Sequence, residues 1–396
     1  MTKLLILNAG SSSIKFSVFE YSAESEVLQL ILRGHAAQRG ASVEVLVQDD
    51  QGLPLVQSEQ ALPNGGFDHD AAMAQLLSWF DQPNAAWTFA AIGHRVVHGG
   101  QHYLAPVQIT DSVLRDLDAL VPLAPLHQPH SLKVIRLAQA RWPSVIQVAC
   151  FDTAFHTTQP MVALACALPR AITTAGVRRY GFHGLSYEYI ASQLPRVLGE
   201  RANGKVIVAH LGNGASLCAL VNGKSIASTM GFSALDGLVM GTRCGSLDPG
   251  VVLYLLQERQ MSAQAVSDLL YNQSGLLGVS GISSDMQVLL SSAEPLAAAA
   301  IDLFVYRIVC EMGALIAAMG GVDALVFTAG IGQHAAPIRE RICQAYAWLG
   351  AALDTTANTQ GQEQLHLPTS TLNILMIPTD EERMIGLHTL RIMLER

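Results

Sequence analysis

The sequence predicts an α/β protein of two duplicated halves, and three observations carry that prediction. At 396 residues the chain is long enough for two domains of ordinary size. Beyond residue 150, short apolar strands alternate with long helical patterns, which indicates a mainly parallel sheet covered by helices. A strand, a small glycine-bearing loop and a second strand occur at residues 4–20 and again at 206–229, one copy in each half. Such a duplication places the ligand in the cleft between the halves.

In chain order, residues 4–7 (LLIL) read as a buried strand and 8–13 (NAGSSS) as a tight turn. Ile14, Phe16 and Val18 then alternate with Lys15 and Ser17, so the turn leads into a strand and not a helix. That excludes a P-loop, which precedes a helix and closes on Gly-Lys-Ser/Thr. A loop of this kind is either an ordinary hairpin turn or a cradle whose N–H groups converge on an anion. Residues 42–48 (SVEVLVQ) and 90–100 (AAIGHRVVHGG) continue a strand-rich first part. A Pro-rich passage, 121–130, leads into a helical pattern starting near Ser131. The domain boundary falls near residue 150. The expected domains are 1–150, completed by a C-terminal helix over 384–396, and 151–383. In the second copy the loop runs from Gly212 to Ser216, and Asn222-Gly223 gives the strongest hairpin signal in the chain. A third glycine loop, with Gly330 and Gly332, follows the apolar strand of 323–332. Three glycine loops at strand ends point to a bound nucleotide.

Composition narrows the class. Half the residues are hydrophobic and 14% are charged, the balance of a well-buried globular protein. A net charge of −8 argues against a nucleic-acid surface while leaving room for a local cationic pocket. The six cysteines form no C-x-x-C pair, so neither a disulfide framework nor a zinc knuckle is suggested, and a reducing cytosol is the expected home. The N-terminus shows no signal-peptide pattern. The most apolar stretch, 296–319, carries Asp302, Arg307 and Glu311, and reads as a core helix with Arg307 and Glu311 as an i,i+4 pair, not as a membrane span.

Phosphoryl transfer needs positioning and positive charge more than covalent chemistry. Arg95 in IGHRVVHGG and Arg243 in MGTRCGSLDPG stand in glycine-rich apolar segments, where a guanidinium needs an anionic partner. That partner is either a substrate or a structural carboxylate. Asp152 ends an apolar strand, where ligand-binding residues of α/β sheets collect. Glu381 and Glu382 follow another strand and open the last helix, a placement that Thr379 or Asp380 as N-cap and the helix dipole also explain. Mg²⁺ takes one or two such carboxylates. His183 and His210, beside glycines, can bond a phosphoryl oxygen. His127 in the Pro-rich passage is similar. His94 and His98 lack the glutamate of a zinc protease motif.

At these residues the chain resembles the acetate kinase family, within the superfamily of acetate and sugar kinases, Hsp70 and actin. The resemblance rests on LNAGSSSIKF, GHRVVHGG, PLAPLH, FDTAFH, RRYGFHGLSYEYI, AHLGNGASL, MGTRCGSLDPG, FTAGIG and PTDEER, nearly end to end. It implies an α/β protein of two duplicated actin-like, ribonuclease H-like domains with an interdomain active-site cleft. It also implies a homodimer that transfers the γ-phosphoryl of ATP reversibly to acetate, giving ADP and acetyl phosphate. By this resemblance Arg95, Asp152, His183 and Arg243 are catalytic, with His183 and Arg243 stabilising the transition state. Arg95, Val97, Leu126, Phe182 and Ala234 take the acid. Asn8, Lys15, His210, Gly212, Asn213, Gly214, Asp285, Met286, Gln287, Gly330, Ile331 and Gly332 take the nucleotide and its phosphates. Asn8 and Glu381 hold Mg²⁺, or Mn²⁺ in its place, with Asp152 as a third candidate. No general base is needed, because a carboxylate is already ionised at neutral pH.

Three segments depart from the family's pattern. Gln333-His334 follow Gly332 where Glu-Asn is usual, Gln287 stands where an arginine is usual, and Ala234 replaces a common proline. The first two bear on base preference, and the third leaves room for propionate. The alternatives are a propionate or other short-chain carboxylate kinase, a sugar kinase, which would want a carboxylate base, and a non-catalytic ATP switch, which would lack the two arginines. No nucleic-acid or membrane partner is expected.

Overall fold

The computed structural model describes residues 2–10, 13–24, 27–39, 42–61, 69–80 and 87–395. Ser11 and Ser12 of the first loop, and Arg396 of the last expected helix, lie outside the described residues. The chain divides into two compact units, Met1–Ala154 with Asp380–Arg396, and Phe155–Thr379.

The first unit is built on β1 (Thr2–Ala9) and β2 (Ser13–Ser22), an antiparallel hairpin in which Asn8 stands opposite Lys15. Pairing therefore runs through Asn8 and Ala9, and the turn is shorter than the sequence suggests. Three further antiparallel strands, β3 (Val27–Arg39), β4 (Ser42–Asp49) and β5 (Pro54–Ala61), extend the sheet on the β2 side. On the β1 side, β6 (Ala91–Val96) adds in parallel, β7 (Val107–Gln108) forms the edge, and β8 (Ile146–Phe151) lies parallel to β6. The order is β5-β4-β3-β2-β1-β6-β8-β7.

One face is covered by the helices His69–Phe80 and Gln128–Arg141, whose Met73, Leu76, Val134 and Ala138 join Leu5, Leu7 and Ile92 in one buried cluster. The C-terminal helix Glu381–Leu394 packs on β1, β6 and β8. Gly93 permits the approach: a β-carbon there would stand 2.2 Å from Thr389 Oγ1 and 2.7 Å from Ile385 Cγ2.

The second unit repeats the plan with β9 (Lys205–Leu211), β10 (Ala215–Val221), β11 (Lys224–Ser228), β12 (Ala324–Thr328) and β13 (Asn373–Met376), in the order β11-β10-β9-β12-β13. The match is to β3-β2-β1-β6-β8: a central strand, two antiparallel strands on one side and two parallel strands on the other. This sheet is mixed, not mainly parallel. Connections as short as 212–214 and 222–223 can only return a strand antiparallel, because a parallel partner needs a long crossover. Asn222 (φ 53°) and Gly223 (φ 68°) both adopt positive φ, as a type I′ turn requires.

The long helix Pro295–Met319 is a core helix, burying Ile301, Phe304, Ile308 and Met312. Among the described residues no ion pair joins Arg307 to Glu311; Glu311 also feels Asp236 and Arg179, charges a local helix rule cannot include. The third glycine loop is likewise not a loop. β12 stops at Thr328, and Ala329–His334 is a short helix that begins with Ala329 at φ 63°. Among the described residues no helix is long and apolar enough to cross a membrane.

Candidate active site

In the first unit the ends of β1, β6 and β8 and the start of the C-terminal helix bring five polar residues together. Arg95 near the end of β6 grips Asp152 just past β8: Nη2 donates to Oδ2 at 2.5 Å, and Nε lies 3.1 Å from both carboxylate oxygens. Arg95 Nη1 reaches Asn8 Oδ1 at a long 3.4 Å. The Asn8 amide nitrogen donates to Glu382 at 2.8 Å and to Glu381 at 3.2 Å. The structural partner the sequence left open for Arg95 is thus Asp152, and both Asp152 oxygens are committed to it.

Burial pushes the Arg95 guanidinium down, but the carboxylates of Asp152, Glu381 and Glu382 more than offset it and leave the group above its ordinary value. Burial pushes Asp152 up, opposed by Arg95. Glu382 is also raised, first by burial and then by Glu381, against the pull of Lys15 and Asn8. Asp380 caps the last helix by accepting from the Arg383 N–H, and Glu381 and Glu382 in its first turn complement the helix dipole while accepting from the Asn8 amide.

Hard oxygen donors crowded by negative charge suit a divalent cation. Among the described residues, however, no group of three or more acidic, His or Cys side chains is assembled around one point. Asn8, Glu381 and Glu382 would leave such a cation to draw its remaining ligands from water and phosphate oxygens, as Mg²⁺ does with one or two carboxylates. Val97 is buried just beyond β6, and Leu126 and His127 precede the helix Gln128–Arg141.

The second unit holds the other candidates. His183 caps the helix Gly184–Leu198 in the left-handed conformation (φ 58°), one of the few side chains that tolerates it. A β-carbon on Gly214, in the β9–β10 loop, would stand 3.3 Å from His183 Nε2 and 3.8 Å from Arg243 Nη1. The loop backbone, the imidazole and the guanidinium therefore converge. Arg243 Nη1 also donates to the Ala234 carbonyl at 3.0 Å. His210, at the end of β9, stacks on His183 with ring centroids 4.2 Å apart.

Phe182 is buried, and its carbonyl accepts from His156 Nε2 at 2.8 Å. The turn here depends on Gly181 (φ 76°), because a β-carbon would meet the His156 ring at 2.6 Å.

Beside this loop lies a cavity of about 740 Å³, lined by Gly212, Asn213, Asp285, Met286, Gln287, Gly330, Ile331 and His334 among others. Its volume suits a small-molecule ligand. Asp285 caps the helix Met286–Ser291. Gly332, expected to take the nucleotide or its phosphates, is buried next to the cavity-lining Ile331, and its carbonyl accepts from Arg339 at 2.9 Å. Arg339 was not anticipated from sequence. It is 1% exposed, and also donates to Gln333 O, Asn358 O and Asn358 Oδ1, bracing the helix that lines the cavity. No local signal distinguishes it from a surface arginine of a helix.

The sequence matches the acetokinase family over residues 3–387. The chain belongs to that family. It is 53% identical to an acetate kinase of Rhodopseudomonas palustris (strain TIE-1) over 392 residues, 98% of each chain. Among solved structures it resembles a propionate kinase from Francisella tularensis subsp. tularensis SCHU S4 (TM-score 0.89, 36% identity, 99% and 100% of the two chains). It also resembles the Porphyromonas gingivalis acetate kinase (TM-score 0.85, 35% identity, 99% and 100% covered). The two sheets are thus those of the actin-like acetokinase fold, and this acetokinase-family chain is a phosphotransferase that uses ATP.

Proposed function

We propose that the protein is an acetate kinase, transferring the γ-phosphoryl of ATP directly to the carboxylate of acetate. The observation that carries the reading is the convergence of His183 Nε2 and Arg243 Nη1 on Gly214, donors grouped where charge on a transferring phosphoryl group needs them. The full-length likeness to a protein named acetate kinase supports the choice of acceptor. The cavity lined by Asn213, Gln287 and Gly330 takes the nucleotide. Arg95, held on one edge by Asp152, is the residue that meets the acid's carboxylate; Val97 and Leu126 of the first unit and Phe182 and Ala234 of the second are its expected acyl contacts. Asn8, Glu381 and Glu382, already in contact with one another, would hold Mg²⁺, which would neutralise phosphate charge. The acceptor oxygen needs no base, only alignment and relief from phosphate repulsion.

Ala234, where a proline is common, favours propionate as a second acceptor, since one methylene discriminates by only about 1–3 kcal/mol. A homodimer belongs to the same proposal: the helix Pro249–Gln257 buries none of its residues and exposes Val251, Leu253 and Tyr254. So does a reducing cytosol, which suits six free cysteines.

Hydroxamate trapping with ATP and Mg²⁺ on acetate, propionate and butyrate tests the acceptor. Acetate should give the highest kcat/KM. Absence of product from every acid would overturn the reading. Sedimentation at micromolar concentration tests the dimer.

A further inference from the structure

As a donor to a phosphoryl oxygen His183 needs its proton on Nε2, and the residues behind the ring decide whether it is there. His183 Nδ1 lies 2.8 Å from Ser216 Oγ, and Ser216 Oγ lies 2.5 Å from the Tyr187 hydroxyl. Tyr187 and Ser216 are both fully buried. Among the described residues the Tyr187 hydroxyl has no hydrogen-bond partner except Ser216, and Ser216 Oγ has only Tyr187 and His183. A buried hydroxyl proton left without an acceptor is costly, about 1–3 kcal/mol. One arrangement leaves neither proton orphaned: Tyr187 donates to Ser216, and Ser216 donates to His183 Nδ1. The imidazole proton then sits on Nε2, the atom beside Gly214.

The reverse polarity, with Nδ1–H donating to Ser216, strands either the serine or the tyrosine proton. The same holds for a doubly protonated ring.

His210 is held the same way. Thr379 Oγ1 donates to Ser186 Oγ at 2.8 Å, and Ser186 Oγ lies 2.8 Å from His210 Nδ1. Ser186 and Tyr187 are neighbours in the first turn of the helix that His183 caps, and Ser216 stands directly opposite His210 in the β9–β10 register. One helical turn thus meets His210 directly through Ser186 and His183 indirectly, through Tyr187 and the β10 residue Ser216. His156 gives an internal reference. Its Nε2 faces the Phe182 carbonyl, which can only accept, so its Nδ1 must accept, and Ser225 Oγ is there at 2.9 Å.

We propose that Tyr187 and Ser216 are positioning residues whose hydroxyl relay fixes His183 as the Nε2–H tautomer, so that it meets the phosphoryl group as a neutral donor and not as a base. This rests on the phosphoryl-transfer reading above for its purpose, but not for its observable.

The test is a long-range ¹H–¹⁵N correlation spectrum of the intact protein labelled with ¹⁵N-histidine, assigned with His183→Gln and His156→Gln. His183 should show the Nε2–H pattern that His156 shows. Tyr187→Phe and Ser216→Ala should convert His183 to a tautomer mixture while His156 keeps its pattern. In both variants kcat should fall about tenfold or more with little change in KM, the size seen when an orienting partner is removed. A wild-type His183 carrying its proton on Nδ1 overturns the proposal, and this measurement stands even if a variant fails to fold. Variants that keep both the tautomer and kcat would also overturn it. If no acid is phosphorylated by the wild type, the acetate kinase reading fails while the spectrum still decides the tautomer.

Discussion

At the scale of single residues, the candidate site is built from charges that need one another. Arg95 and Asp152 form a bidentate pair with the carboxylate buried and the guanidinium mostly so, and such pairs contribute little net stability while being costly to break. Asp152→Ala should therefore lower unfolding free energy by about 3–5 kcal/mol, read from the urea midpoint, because it strands the Arg95 charge. An unchanged midpoint would mean that Arg95 finds another partner. Arg243 is different in kind. Its Nη1 donates to the Ala234 carbonyl at 3.0 Å and lies 3.8 Å from where a β-carbon on Gly214 would stand, on the same side as His183 Nε2. Arg243→Ala should reduce kcat by about 10³, as loss of a transition-state arginine does in other phosphoryl-transfer enzymes. Turnover near wild type would remove Arg243 from the mechanism.

Elements decide how those residues are aimed. The β1–β2 and β9–β10 hairpins each end in a short glycine-bearing loop, with Asn8 at one and Asn213 at the other. The C-terminal helix brings Glu381 and Glu382 to Asn8 only because it lies close against β6 at Gly93. Gly93→Val should push that helix away, costing roughly 1–3 kcal/mol as overpacking does and weakening Mg²⁺ dependence of the rate. Thermal unfolding together with a Mg²⁺ titration would measure both effects. A destabilised variant with a normal Mg²⁺ requirement would show that the helix start is anchored independently.

Across the whole molecule, acid sensitivity should come from buried histidines in both units. Burial pushes His94, His98 and His156 down to about 4, in His156 against a carbonyl hydrogen bond and in His94 against Gln147. These groups bind protons in the unfolded chain below pH 6.5 but not in the native one until near pH 4. Their contribution is complete above the unfolded value and is lost as pH falls from about 6.5 to about 4. Unfolding free energy should therefore drop steeply across that window. His156→Gln should flatten the slope while lowering stability at pH 7. An equal slope in wild type and variant would mean that His156 is protonated in the native state.

The sequence by itself determined the two hairpins, the Asn222-Gly223 turn, the core helix over 295–319 and the family, because periodicity, turn chemistry and short motifs are local properties of a chain. It also marked Asn8, Arg95, Asp152, His183, Asn213 and Arg243, whose residue types and glycine-rich settings announce anion chemistry. Only the tertiary structure decided their partners. Asn8 meets Glu381 across 373 positions and Arg95 meets Asp152 across 57, distances over which strand register and helix docking set the contact. The same holds for the mixed sheet, for the helix at 329–334 where a loop was expected, and for Arg339. Hydrogen-bond direction at His183 is the furthest from sequence, since it depends on which buried hydroxyls have nowhere else to donate.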